Sequence, residues 1–328
     1  MMLALETSCD ETCAAVLTAA GVVQSSIVAS QVADHVAFGG VVPEIAARRH
    51  LDLIGTVVQT ALDEAGCTDA DLSGVAVTAG PGLIGALLVG VSFAKGYAYA
   101  RGLPLFAVDH LRGHVASLQL APQPPRGAHL VLLASGGHTL LIDVDSDGTC
   151  TTIARSMDDA AGEAFDKGAR LLGLGYPGGP ALAALAGGGA ANMASLTTPL
   201  QGRDDLAFSF SGLKTQLSLA VQQLAEGDAQ GRANLALAYQ DAIVDHLVQR
   251  ALLGLQATGR SALGLVGGVA ANQRLREQLS ELPAEIVLAP LAICGDNAAM
   301  IGMAALVDKP LSAEELLRLD AYARSPLR

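Results

Sequence analysis

The sequence predicts an α/β protein of two lobes built to a related design. Three observations carry that reading. Strand–turn–strand stretches occur twice, at Leu3 to Leu17 and at Leu130 to Ile142, and each turn is made of small polar residues that expose backbone N–H groups, a geometry suited to phosphate. The proline-rich segment Pro122 to Pro125 lies between them as a linker, giving an N-terminal lobe of residues 1–126 and a C-terminal lobe of residues 127–328. Apolar runs then end in turns at the start of helical patterns, as strands and helices do when they alternate in an α/β layer.

Along the first lobe, the hairpin turn Thr7-Ser8-Cys9-Asp10 is followed by Gly39 to His50, which opens a helix with Pro43 in its first turn. Glu44, Arg48 and His50 lie there, as functional groups or as a solvated face. Gly74 to Thr78 reads as a strand running into Ala79-Gly80-Pro81-Gly82, with a helix from Leu83 to about Ala100. That glycine turn matches neither a Rossmann fingerprint nor a Walker loop, so it serves either an anion at a helix N-terminus or close packing through Gly85, Ala86 and Gly90. Leu103 to Val108 is a buried strand, and Asp109 is a natural N-cap for the helix behind it.

In the second lobe, Ala164 to Gly168 begins a short helix that leads to Tyr176-Pro177-Gly178-Gly179-Pro180. Leu206 to Thr215 precedes a helical pattern that continues, with interruptions, to about Leu255. Ala262 to Asn272 is a strand ending in a Gly267-Gly268 turn at a helix start, the place where doubly wound folds hold nucleotides. Ile293 to Asn297 is expected to end a strand and open a helix through Ala305, with Asp296 as its N-cap or as a ligand.

Composition sets limits on function. Of 328 residues 51% are hydrophobic and 16% charged, which describes a folded protein and excludes a disordered one. The mean hydropathy of +0.41 raises the question of a membrane, but the longest apolar stretch, Leu83 to Ala94, is broken by Gly85 and Gly90 and ends at Lys95, too short to span a bilayer. No basic flank precedes an apolar segment at the N-terminus, so no signal peptide is expected. Five cysteines without CxxC spacing fit a reduced, cytoplasmic setting. The net charge of −12 argues against a broad nucleic-acid-binding face, because phosphate contacts need Lys and Arg.

The stretch Asp109-His110-Leu111-Arg112-Gly113-His114 carries the clearest chemistry. Residues four apart on a helix are neighbours, so His110 and His114 can share a metal ion from adjacent turns. That supplies two ligands. The alternative is a pair of buried histidines satisfied by backbone carbonyls.

Taken together, nine segments of the chain resemble one family, the tRNA threonylcarbamoyladenosine transferases, formerly described as O-sialoglycoprotein endopeptidases. They are ETSCDET at Glu6 to Thr12, GGVVPEIAARRH at Gly39 to His50, AGPGLIGALLVGVSFAKG at Ala79 to Gly96, HLRGH at His110 to His114, SGGHT at Ser135 to Thr139, EAFDKGARLLGLGYPGGP at Glu163 to Pro180, FSFSGLKT at Phe208 to Thr215, GGVAAN at Gly267 to Asn272 and CGDNAAMI at Cys294 to Ile301. They follow the family's order over nearly the whole chain.

The resemblance implies an actin/Hsp70/sugar-kinase-like fold, with duplicated ribonuclease-H-like subdomains and a nucleotide in the cleft. It makes His110, His114 and Asp296 the ligands of one divalent metal, Fe(2+) first, with Zn(2+) or Mg(2+) as alternatives. It sets the substrate, threonylcarbamoyl-adenylate, against Leu133, Ala134, Ser135, Gly136, Gly137, Asp166, Gly179 and Asn272. The implied reaction moves the threonylcarbamoyl group to the exocyclic amine of the adenosine beside the tRNA anticodon and releases AMP. Asp10 and Glu11 are the candidate bases. The implied partners are tRNA, a paralogous pseudo-enzyme and a small P-loop ATPase, with no membrane.

Three positions depart from the family's pattern: Ala183 where an acidic residue often helps hold ribose, Arg112 where an acidic residue often stands inside HxxxH, and Phe38 where Tyr is usual. Two rival readings remain. A zinc peptidase would need HExxH, and the position after His110 is Leu111. An actin-like ATP-binding scaffold would need the phosphate hairpins and no metal triad.

Overall fold

The computed structural model describes residues 1–325. In chain order the first part comprises β1 (Met2–Glu6), β2 (Glu11–Leu17), β3 (Val23–Ser30), α1 (Val32–His35), α2 (Pro43–Glu64), β4 (Gly74–Gly80), α3 (Ile84–Arg101), β5 (Leu105–Asp109) and α4 (His110–Ala116). The second comprises β6 (His129–Ala134), β7 (Thr139–Val144), β8 (Cys150–Arg155), α5 (Ala161–Leu171), α6 (Gly178–Ala186), α7 (Ser211–Gln222), α8 (Ala229–Thr258), β9 (Ala262–Val266), α9 (Gln273–Ser280) and β10 (Glu285–Leu288). The chain closes with α10 (Ala298–Ala305) and α11 (Ala313–Arg318).

Two compact units result, one of residues 1–120 and 296–325, the other of residues 121–295. Each holds a five-stranded mixed sheet, ordered β3-β2-β1-β4-β5 in the first and β10-β9-β6-β7-β8 in the second. Three antiparallel strands are followed by two parallel ones in both, so β6 to β10 repeat the connectivity of β1 to β5. The two hairpins read from the sequence are β1–β2 and β6–β7, closing at Glu6 opposite Cys13 and at Ala134 opposite Thr139. Both β1 and β6 are buried at every residue, as expected for strands covered on both faces, while the edge strand β3 alternates.

In the first unit α2 and α3 cover one face of the sheet, where Val57, Val58, Ala61 and Val91 pack on Leu3, Leu5, Val16 and Val77. The other face meets α10, whose Ala298 to Ile301, Ala304 and Ala305 pack on Met2, Ala4, Cys13, Ala15 and Leu17. Gly302 of α10 lies so close to Leu17 that a Cβ there would collide with it.

Three expectations change. A division at 126/127 assigns residues 296–325 to the second lobe, whereas they fold into the first unit because α10 is the cover of its sheet. The expected strand through Ile293 is absent: β10 stops at Leu288, and Leu291–Ile293 is a 3-10 turn. The cap of α10 is Asn297, whose side chain accepts from Met300 N at 2.9 Å, so Asp296 is not the cap.

Candidate metal centre and substrate contacts

The donors His110, His114 and Asp296 all belong to the first unit. Asp109 ends β5 and caps α4, its Oδ1 accepting from Leu111 N at 2.9 Å and Arg112 N at 3.3 Å. That places His110 at the first helical position and His114 one turn on, with ring centroids 4.7 Å apart at 78°. Between them Gly113 lets α4 approach α10, since a Cβ there would stand 2.6 Å from Ile301 Cδ1. The approach brings Asp296, just ahead of α10, to the two rings: its Oδ1 is 3.3 Å from His114 Nε2 and 3.6 Å from His110 Nε2. One donor atom from each of the three residues lies within 4.8 Å of the others, a spacing that can hold a metal ion.

His114 is fully buried, and neither of its ring nitrogens has a hydrogen-bond partner. A buried imidazole without a hydrogen-bonding partner is costly, and a metal at Nε2 removes part of that cost. His110 differs. Its Nδ1 lies 2.9 Å from Glu6 Oε2 and 3.2 Å from Ser8 Oγ. Glu6 is itself held at full burial by Thr78 Oγ1, which donates at 2.6 Å, and by Ser8 N. Burial alone would lower the His110 pKa, but the Glu6 and Asp296 carboxylates outweigh it and push it up to about 9. Burial raises the Glu6 pKa, yet His110 brings it below the usual carboxylate range. Both shifts favour the ionised forms, an imidazolium beside a carboxylate.

The hairpin turn beside the site carries Asp10 and Glu11. Helix α2 holds it through His50, whose Nε2 donates to Cys9 O at 2.9 Å while Nδ1 accepts from Thr12 Oγ1 at 2.8 Å and Gln31 Nε2 at 3.3 Å. Gln31 N in turn donates to Asp10 O at 3.0 Å. Glu11 Oε1 accepts from Ser30 Oγ at 2.9 Å, and its Oε2 is buried with no partner. Burial pushes the Glu11 carboxyl up to about 7, opposed by the Ser30 hydroxyl. The segment Gly39 to His50, whose Pro43 begins α2, is therefore tied to the turn by His50.

The AGPG turn is a packing device. A side chain at Gly80 would collide with Tyr322, and one at Gly82 would approach Ser8 O to 2.5 Å. Arg112 pairs with Asp308 at 3.1 and 2.8 Å.

The proposed adenylate contacts all lie in the second unit. Leu133 and Ala134 end β6, and the turn behind them is closed by Ser135 N donating to His138 O at 2.8 Å. Nothing lies within 4 Å of a notional Cβ at Gly136 or Gly137, so the turn faces open space. Gly162 N donates to Ser135 O at 3.1 Å, fixing the start of α5 against the turn. Asp166 on α5 accepts from Gly178 N at 2.9 Å and so anchors α6. At Gly179 a Cβ would meet only Phe165 Cβ, at 4.0 Å. Asn272 caps α9 by accepting from Leu275 N at 3.0 Å and donates to Gln240 Oε1 at 3.0 Å. Its side chain already has work in the fold.

Sequence reasoning singled out neither Glu6 nor Gln240 for a role. For Glu6 a signal existed: it is the single carboxylate of an otherwise apolar strand, Met2-Leu3-Ala4-Leu5-Glu6.

The family model described as TsaD, tRNA N6-adenosine threonylcarbamoyltransferase, matches residues 22–303. The chain belongs to this family. A Prochlorococcus marinus (strain MIT 9303) tRNA N6-adenosine threonylcarbamoyltransferase is 48% identical over 99% of this chain and 96% of its own length. The Syntrophus aciditrophicus enzyme of that name is 43% identical over 100% and 98%. Two solved structures share the fold at 16% identity. Component A of Acidaminococcus fermentans (R)-2-hydroxyglutaryl-CoA dehydratase matches with a TM-score of 0.57 over 93% of this chain and 96% of that one. Full-length HypF in its phosphate- and nucleotide-bound form matches with 0.60 over 99% of this chain and 56% of that one. The two-lobed actin/Hsp70/sugar-kinase-like fold expected from the sequence is therefore present.

As a tRNA N6-adenosine threonylcarbamoyltransferase, the protein is a transferase that acts on tRNA. The scaffold and peptidase readings are not favoured. Leu111, in the place of the zincin glutamate, is buried and has no acid–base chemistry to offer. No helix among the described residues is long and apolar enough to cross a membrane.

Proposed function

We propose that the protein takes threonylcarbamoyl-adenylate as donor and that His110, His114 and Asp296 hold one divalent metal, Fe(2+) by ligand type, with Zn(2+) or Mg(2+) as competitors. The observation that carries the reading is the buried His114, without a hydrogen-bonding partner, beside Asp296. Bound there, the ion supplies Lewis-acid polarisation of substrate oxygens. Two imidazoles and a carboxylate leave coordination positions for substrate.

The exocyclic amine of adenosine is a weak nucleophile because its lone pair is delocalised into the ring. In the proposed reaction it attacks the carbamoyl carbon, AMP leaves with the bonding pair, and the amine proton passes to a carboxylate. Glu11, with a pKa near neutrality, suits that base, and Asp10 in the same turn is the alternative. In the second unit, Leu133 to Gly137 and Gly179 offer backbone that a phosphate or sugar can approach, and Asp166 and Asn272 offer polar side chains. Ala183 removes a carboxylate from the ribose contacts.

The net charge of −12 supports a division of labour in which a paralogous pseudo-enzyme and a small P-loop ATPase assist with tRNA. Exposed Leu51 on α2 and Ile84, Leu88 and Tyr99 on α3 offer apolar surface to the paralogue. The setting is cytoplasmic, where these partners and tRNA are found together.

The test is tRNA modification by parent and His114→Ala protein with partners and donor supplied, alongside elemental analysis of anaerobically purified protein. The expected result is one equivalent of metal in the parent, and loss of metal and transfer in the variant. Full transfer by the metal-depleted variant overturns the assignment.

A further inference from the structure

The C-terminal segment reaches the same helix that carries the two histidines. Tyr322 Oη donates to Asp109 Oδ2 at 3.0 Å and Ser325 Oγ donates to the same oxygen at 2.7 Å. The other oxygen of Asp109 caps α4, so one carboxylate joins the last described residues to the first turn of the metal-ligand helix. Tyr322 is held in place from the other side, its N donating to Ala79 O at 3.0 Å, where Gly80, at φ +151, leaves room for it. Lys95 Nζ donates to Leu319 O at 3.2 Å, and Arg112 on α4 pairs with Asp308. Asp109 is 6% exposed.

We propose that Tyr322 and Ser325 are positioning residues for the metal centre: by holding Asp109 they fix the first turn of α4 and with it the direction of His110 and His114. The inference deepens the metal assignment above and rests on it. Geometry supplies the reason. An N-cap carboxylate held only by its own helix can turn about χ1 and χ2 and carry the first turn with it. Two hydroxyl donors on the second oxygen remove that freedom, and hydrogen bonds to an ionised acceptor are the strong ones. His110 directly follows the cap, so small rotations there move its Nε2 relative to Asp296 Oδ1, now 3.6 Å away. Groups behind metal ligands commonly change affinity by roughly 10- to 100-fold when removed.

The experiment measures Co(2+) affinity by chelator competition, the Co(2+) absorption spectrum and the thermal midpoint of the metal-free protein. The proteins are the full-length parent, Tyr322→Phe, Ser325→Ala, the double variant, and His114→Ala as reference. The expected result is weakening of Co(2+) affinity by roughly tenfold or more in the double variant, with a changed ligand-field spectrum and a smaller effect in each single variant. Single hydroxyl removals leave the fold in place, so each single variant reports even where the double variant is unstable. Unchanged affinity and spectrum, with or without a lowered midpoint, would show that the segment is a structural tie only and overturn the proposal. Where His114→Ala binds Co(2+) as tightly as the parent, the metal assignment itself fails and the positioning role falls with it.

Discussion

Glu6 Oε2 lies 2.9 Å from His110 Nδ1 at the end of a fully buried strand. A carboxylate there accepts a hydrogen bond from Nδ1–H, so that the proton given up when a cation binds is the one on Nε2, on the side of His114 and Asp296; that is the tautomer a metal ligand needs. Glu6→Gln should lower metal affinity by roughly 10- to 100-fold while the fold persists, measured by chelator competition. Equal affinity in parent and variant would leave Glu6 with a purely structural role.

Glu11 links base chemistry to stability through pH. Its carboxyl, raised to about 7 from an ordinary 4.5, is protonated in the folded protein over a range where the unfolded chain has ionised. Its contribution to stability therefore declines as pH rises from 4.5 to about 7 and is constant above. Glu11→Gln should raise the thermal midpoint relative to the parent at pH 8 and leave it unchanged near pH 4. If Glu11 is the base, turnover in the parent climbs with pH through about 7, and the variant loses that limb together with roughly 100- to 10,000-fold in rate. A variant that keeps the limb moves the assignment to Asp10.

Asn272 should show two separable effects. Its side chain caps α9 and bonds Gln240, so Asn272→Ala should cost about 1 kcal/mol of stability in denaturant unfolding. As a substrate contact it should also weaken adenylate binding by roughly 1 to 3 kcal/mol. Asn272→Asp retains the capping oxygen and should recover the stability alone. Asp166→Ala should weaken adenylate binding by a similar amount and loosen the start of α6, because Gly178 N loses its acceptor.

His246 predicts an acid sensitivity in the second unit. It is fully buried, accepts from Ser209 N at 3.2 Å and packs edge-on to Phe208 and Phe210. Burial, aided by Arg250, holds its pKa near 4, below the ordinary 6.5. Stability is then full above 6.5 and is lost as pH falls toward 4, by up to about 3 kcal/mol from this group. His246→Gln should flatten the midpoint-versus-pH curve between those limits.

The chain alone should bind tRNA weakly at physiological salt, because −12 net charge leaves little to neutralise phosphates. Filter binding with and without partner subunits tests this, and tight binding by the isolated chain would refute it.

Much of the architecture was legible because it is local. Each hairpin is written in a strand, a short polar turn and a second strand, and the repeat of that pattern pointed to two units of related design, whose common strand order only the structure shows. His110 and His114 were legible as a helical pair behind the Asp109 cap. Asp296 was ambiguous because Asp and Asn stand side by side at a helix start, and only the Asn297 bond to Met300 N separates cap from ligand. The return of α10 to the first sheet was not legible. Its run Ala298-Ala299-Met300-Ile301-Gly302 is apolar on every side and names no partner, so only the long-range fit of Gly302 on Leu17 and Gly113 on Ile301 reveals it. Glu6 was passed over because its partner stands 104 positions away.

The same return has a consequence for biosynthesis. His110 and His114 are made early and Asp296 only after residues 121–295 have been translated, so a growing chain cannot bring the three donors together before then. Chains broken off within the second unit lack Asp296, α10 and the segment that latches Asp109. Possession of all three donors thus marks a polypeptide whose synthesis has passed the whole of the second unit.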